Sequence, residues 1–234
     1  MTLLGQTPLL CQPGTQWNYS VATDVLGRLV EVWSGVELDR YLRENIIAPL
    51  GMHDTGFHVP ADQHDRFAAS YRRNSAGALA QVESSIGGRF TRAAVTFSGG
   101  GGLVSTAEDY MRFARMLMRG GELDGVRLLG NKTVALMTSN HLPDDMAAMG
   151  QPRFSESNYQ GIGFGLGVSV TLDPARAQIL GSAGEYAWGG AASTAFWCDP
   201  SEQQIVILMT QLLPSSTYPI RRELRVLSYQ AIVD

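Results

Sequence analysis

The chain has 234 residues, of which 44% are hydrophobic and only 17% charged, a composition that excludes a disordered tail and suits one large domain or two small ones. Eighteen basic against 22 acidic side chains leave a net charge of -4, and Lys132 is the single lysine among the basic set, so nothing in the balance resembles a nucleic-acid footprint. Cys11 and Cys198 are too few and too far apart in sequence for a metal cluster, and no apolar run approaches the ~20 residues that cross a bilayer. The expectation is a cytoplasmic chain with no cofactor, no metal, no nucleic-acid partner and no membrane contact.

In chain order, Val25, Leu26, Leu29, Val30 and Trp33 repeat at three and four residues from Ala22, and Gly35 stands where a helix ends. A second helix is expected from about Glu37, with Leu38, Tyr41, Leu42 and Ile46 on one face, stopping near Ala48 before Pro49. Residues 51–102 read as long loops with short strands at Ala68–Arg72 and Ala78–Val82. Ser105 and Glu108 form a capping-box pair for a third helix, which Gly120 and Gly121 end. A short helix over Lys132–Thr138 precedes a polar stretch, His141–Gln160, that reads as a mobile connection or lid.

The last third changes period. Apolar Ile162, Phe164, Leu166, Val168 and Val170 alternate with small or polar neighbours, as in one strand with a nearly bare face. Ala191–Cys198 and Ile205–Met209 flank the turn Asp199-Pro200-Ser201-Glu202 and read as an antiparallel hairpin buried on both sides. Pro219 opens a closing helix whose inner face is expected to carry Ile220, Leu224, Leu227 and Ala231. The chain thus divides into a helical and loop region, 1–159, and a sheet with a terminal helix, 160–234, together forming one domain.

Two self-contained nucleophile motifs are missing. No Gly-x-Ser-x-Gly occurs, Gly167-Val168-Ser169-Val170 coming nearest, and Ser-x-x-Lys fails because Leu129 stands three residues before Lys132. His53, His58 and His64 share a loop region with Asp54, Asp62 and Asp65, but their spacing fits no ligand pattern, and they read with His141 as solvated loop histidines.

Four segments carry more. Gln12-Pro13-Gly14-Thr15-Gln16-Trp17-Asn18-Tyr19-Ser20, Pro49–Phe57, Ser98–Tyr110 with its run Gly99–Gly102, and Trp188-Gly189-Gly190-Ala191 occur in an order that resembles the serine-reactive β-lactamase superfamily, closest to the class C β-lactamase-like family VIII carboxylesterases. The resemblance implies an α/β fold of three layers, an antiparallel sheet with flanking helices, as in serine β-lactamases and penicillin-binding proteins. It implies that Tyr19 assists proton transfer, a role for which a phenol needs neighbouring cations or a helix N-terminus. It also implies that Trp188, Gly189 and Gly190 line the substrate, that the Ala191 N–H contributes to an oxyanion hole, and that the Gly99–Gly102 run is structural.

Two departures bear on substrate. Val21 stands where β-lactamases usually carry an asparagine, and Trp188 where they carry a lysine, which favours small esters over β-lactams. The family's Ser-x-x-Lys segment lies upstream of the tyrosine motif, so the chain resembles the C-terminal part of such an enzyme, N-terminally truncated. Ser20 is the candidate substitute nucleophile, with helix capping as its alternative role, and Ser98 and Ser193 are weaker substitutes. The expected activity is hydrolysis of short-chain carboxylic esters through an acyl-enzyme. The alternative is a non-catalytic fragment or binding scaffold that needs an N-terminal segment. The apolar Ala191–Met209 hairpin would leave a sheet edge, for which a homo-oligomer is expected.

Overall fold

The structure, a computed structural model, describes residues 3–154 and 156–233. Helices α1 (Ala22–Ser34) and α2 (Leu38–Leu42) form the expected hairpin, and Gly35 ends α1 at φ 74°, its N–H donating to the Glu31 carbonyl. Helix α2 runs on as a π-helical turn, Arg43–Ile47, before Pro49 breaks the ladder. Strands β1 (Ser70–Arg73) and β2 (Leu79–Glu83) pair antiparallel close to their expected places.

Helix α3 (Ala107–Met118) is capped one residue later than the Ser105–Glu108 pair suggests. Thr106 Oγ1 accepts from the Asp109 N–H at 3.2 Å. Buried Asp109 sets this register, because its carboxylate accepts from the Asp54 N–H at 2.7 Å and from Thr55 Oγ1 at 2.8 Å. Strands β3 (Glu122–Leu123) and β4 (Val126–Arg127) form a small hairpin, and α4 (Asn131–Met137) follows.

The 141–160 stretch is not a loose lid along its length. Asp145 and Met146 are fully buried, and the Asp145 carboxylate accepts at 2.8 Å from the Ala148 N–H, the Gly161 N–H and an Arg176 Nη2. Burial works against that carboxylate's charge, but the two backbone donors and Arg176 outweigh it and hold the group below its ordinary pKa. Beyond this anchor the chain makes the hairpin β5 (Arg153–Phe154) and β6 (Ser157–Asn158).

The expected single strand over 162–171 is instead a hairpin, β7 (Ile162–Phe164) and β8 (Ser169–Thr171). Alternation hid the turn. A side chain at Gly165 would collide with the Met137 carbonyl, the Leu166 N–H donates to that carbonyl at 2.9 Å, and Gly167 takes φ 95°. These constraints bend the chain out of the sheet.

A short helix, α5 (Pro174–Ala177), is capped by Asp173 and leads to β9 (Tyr186–Gly189), β10 (Ala195–Asp199) and β11 (Gln204–Leu208). The five strands form an antiparallel sheet in the order β11-β10-β9-β8-β7, with β11 at one edge. Strand β10 begins at Ala195 rather than Ala191, because residues 190–194 form a turn in which the Gly190 N–H donates to the Thr194 carbonyl at 2.9 Å. Strand β10 is buried, but β11 is only half-buried along its length, so the hairpin is not covered on both sides. Strand β12 (Leu212–Leu213) leaves this sheet to pair parallel with β1, and α6 (Ile220–Tyr229) closes the fold.

One sheet face packs on α3. Tyr110 meets Phe196 with ring centroids 5.1 Å apart, and Tyr186, Phe196 and Cys198 join Leu50, Met116, Leu117 and Leu123 in the main core. Each large apolar side chain so buried stabilises by about 1.5–3 kcal/mol. Burial pushes the Cys198 thiol up to about 12, leaving it an inert core group.

The opposite face packs on α6 and corrects the expected inner face of that helix. Of the expected residues Ile220 and Leu224 are half-buried, but Leu227 is 58% exposed and Ala231 is also exposed, whereas Arg221, Arg225 and Tyr229, one turn apart, face the sheet. Arg225 pairs with Glu185 through both guanidinium nitrogens, donates to the Leu180 carbonyl at 3.0 Å and lies 4.5 Å over the Trp197 ring. The Tyr229 hydroxyl lies 2.7 Å from an oxygen of Glu185 and of Asp199, and burial together with these two carboxylates pushes its ionisation far above the ordinary range. The sheet therefore lies between α3 and α6, the three-layer arrangement expected.

Two outcomes follow from these buried carboxylates. Glu185→Gln keeps the volume but leaves Arg225 without its counter-charge, and a loss of about 3–5 kcal/mol is expected in urea unfolding against wild type. Because the Asp145 pKa is depressed on folding, its stabilisation is full above the ordinary carboxylate value and is lost as pH falls through the folded one. Urea midpoints measured downward from about pH 4 should therefore fall more steeply in wild type than in Asp145→Asn.

Candidate active site

The tyrosine motif is fixed at both ends. Trp17, half-buried, packs against a second core of Met146, Tyr159, Ile162 and Ala177, and its backbone N–H donates to the Met149 carbonyl at 2.9 Å. Downstream, Asp24 in the first turn of α1 accepts from Ser98 Oγ and, at 3.2 Å, from the Gly100 N–H. Glycine is required here because a side chain at Gly99 would meet the Thr23 carbonyl, so the Gly99–Gly102 run serves as a close backbone support for α1.

Between these supports Tyr19 stands 49% exposed. Its ring stacks on Phe154 with centroids 4.3 Å apart and runs parallel, within 3°, to Trp188 at 6.2 Å. Phe164 closes the group edge-on to Trp188 at 5.5 Å and against Trp17 at 5.1 Å. Tyr19 and Trp188, expected from distant segments, are thus brought together in one aromatic wall. The buried phenol of Tyr159 is a different case: burial, then the nearby Tyr19 and Glu156, push it up to about 12, so it stays protonated.

The remaining expected residues divide. Ala191 is exposed in the β9–β10 turn, next in chain to the Trp188 strand. Gly189 and Gly190, expected to line the substrate, end β9 and open the β9–β10 turn. A Cβ on Gly189 would lie 2.7 Å from Arg221 Cζ, and one on Gly190 would strike Thr194 Oγ1. Both glycines make room for the protein's own groups. Ser20 is exposed and stands one residue ahead of Val21, the N-cap of α1, which has no side-chain cap bond; Ser20 Oγ accepts from the Ala22 N–H at 3.1 Å. Ser98 is engaged by Asp24, and Ser193 is fully buried with its Oγ donating to the Leu212 carbonyl at 2.7 Å.

The histidines lie elsewhere: Nε2 of His64 is 3.1 Å from the Val59 carbonyl, and that of His141 is 2.8 Å from the Leu136 carbonyl. No group of three or more His, Cys, Asp or Glu among the described residues is placed to hold a metal ion, and no helix among them is long and apolar enough to cross a membrane.

Sequence reasoning missed Phe154, Phe164 and Arg221 as parts of this site. Phe164 was visible as a strand residue, but the aromatic partner that would assign it lies in another segment. Arg221 had no distinguishing signal among so many arginines.

Comparison with known proteins agrees with this geometry. A family model described as Beta-lactamase matches residues 1–231. Protein Rv1367c of Mycobacterium tuberculosis (strain ATCC 25618 / H37Rv) is 37% identical over 220 residues, covering 92% of this chain and 53% of that protein. Esterase EstB of Burkholderia gladioli is 30% identical over 229 residues, covering 88% of this chain and 52% of that protein. The solved structure of EstCE1, described as a hydrolase with promiscuous acyltransferase activity, superposes with a TM-score of 0.79 at 27% identity, covering 96% of this chain and 59% of that one. The chain therefore spans about half the length of the curated relatives it matches. With the family model matching residues 1–231 and EstB and EstCE1 among its relatives, the chain belongs to the β-lactamase family.

Proposed function

We propose that this chain carries two walls of a serine-hydrolase site that cleaves short-chain carboxylic esters through an acyl-enzyme, with little action on β-lactams. The observation that carries the reading is the parallel approach of Tyr19 and Trp188 beside the turn that exposes Ala191. In this reading Tyr19 moves the proton between nucleophile and leaving alcohol, and the Ala191 N–H holds the developing oxyanion. Phe154, Phe164 and Trp188 supply an apolar surface for the acyl chain. Such a surface also suits transfer of the acyl group to an alcohol, and EstCE1 combines both activities by its description.

The nucleophile has two sources in this reading. Ser20 adjoins Tyr19 within the chain; the other source is a Ser-x-x-Lys segment like the one that precedes the tyrosine motif in the family. The bond that Ser20 Oγ accepts from the Ala22 N–H is compatible with either source, and in the second this chain is the partner of an N-terminal segment.

Hydrolysis of p-nitrophenyl acetate and butyrate by the purified chain, with serine-directed phosphonate labelling in parallel, tests the proposal. Saturable turnover is expected to fall on the order of 10²–10⁴-fold in Tyr19→Phe. Loss of turnover and labelling in Ser20→Ala would identify Ser20 as nucleophile. A folded chain with neither turnover nor label would overturn the stand-alone hydrolase and leave the fragment reading.

The free side of β11 is where a second copy would pair to form the expected homo-oligomer. Light scattering at micromolar concentration should give at least the dimer mass; a monodisperse monomer contradicts it.

A further inference from the structure

Arg221 opens α6, yet its guanidinium is spent on two segments distant from that helix. Nη2 donates to the Gly190 carbonyl at 2.5 Å and to the Thr194 carbonyl at 2.7 Å, and Nη1 pairs with Glu156 Oε1 at 2.5 Å. Glu156 also accepts from Ser215 Oγ at 3.0 Å. Both charged side chains are about four-fifths buried, at 19% and 21% exposure, where a charge-assisted contact is stronger than at the surface.

The two carbonyls are those that close the β9–β10 turn. The Ser193 N–H donates to the Gly190 carbonyl at 3.1 Å, and the Thr194 carbonyl takes the Gly190 N–H. Arg221 therefore spans the mouth of the turn that exposes Ala191, and it reaches this place only because Gly189 has no side chain. Glu156 belongs to the connection between β5 and β6, the same hairpin whose Phe154 stacks on Tyr19.

We propose that Arg221 is a positioning residue that couples the 153–158 hairpin to the β9–β10 turn, so that the aromatic roof over Tyr19 and the Ala191 amide are set by one guanidinium. Its role in turnover rests on the ester-hydrolase reading above; the coupling itself does not. Neutral or shorter-reaching groups lack the geometry. Methionine has similar length but no donors, and lysine keeps the charge but cannot present a planar fork to carbonyls and carboxylate at once.

Amide hydrogen exchange by mass spectrometry on wild type, Arg221→Met, Arg221→Lys and Glu156→Gln tests the coupling, with α3 as an internal reference. Both the 189–195 and 153–158 segments are expected to exchange on the order of tenfold faster in Arg221→Met and Arg221→Lys, while α3 is unchanged. Glu156→Gln, which changes a side chain of the hairpin and none of the 189–195 turn, is expected to quicken that turn as well. If that turn keeps its wild-type rate in Glu156→Gln, or if either Arg221 variant loosens one segment alone, neither, or α3 with them, the coupling is wrong. Ester turnover is read on the same samples. A kcat reduced on the order of tenfold with little change in KM is expected for Arg221→Met, since a misplaced amide is felt in the transition state more than in binding. A near-wild-type kcat would overturn the positioning role. A wild type without turnover would overturn the stand-alone hydrolase and leave the fragment reading, while exchange alone would still decide the coupling.

Discussion

Glu185 enters the sheet one residue before β9 with its carboxylate almost fully buried, and Arg225 meets it from α6 with both arms of its guanidinium. Much of the arrangement depends on that pair. Isolated charges at this depth would be expelled, so helix and sheet hold together or neither is stable alone. Once Arg225 is fixed on Glu185, the helical repeat places Tyr229 on Asp199 one turn later and Arg221 on the β9–β10 turn one turn earlier. A polar seam therefore does, on this face, what Leu50, Met116 and Phe196 do by apolar burial on the other.

This division explains which parts of the fold could be read from residues alone. Helix α1 was legible because spacing, an αL glycine and the loop support all agree. Helix α6 was placed correctly, but of its expected inner face only Ile220 and Leu224 are half-buried, while Leu227 and Ala231 are exposed, since periodicity rewards apolar stripes and cannot see that Glu185 and Asp199 wait on the sheet. The 162–171 segment failed for a related reason: alternation describes a strand, whereas the bend comes from a carbonyl of α4 against Gly165. Contacts from outside the segment decided both cases.

The candidate site was legible to the same extent. Motif order located Tyr19 and Trp188, and their rings do come together. The glycines after Trp188 were expected to line the substrate. What approaches them is Arg221 and Thr194, and nothing in the local sequence separates an internal neighbour from an external one. Ser20 shows the limit from the other side, since a serine before a helix can be cap or nucleophile by sequence, and its bond to the Ala22 amide, made from one residue ahead of the N-cap Val21, is compatible with both.

The space beneath Gly189 also restricts how this strand can change. Any side chain at this position would place its first carbon 2.7 Å from Arg221 Cζ, and because that atom is the far end of a flexible side chain, the arginine would give way before the strand does. The guanidinium would then surrender its bonds to the Gly190 and Thr194 carbonyls and to Glu156. A change confined to one strand residue is thus felt in contacts made by a helix more than thirty positions downstream in the sequence, and the tolerance of Gly189 is set by a residue outside its own strand.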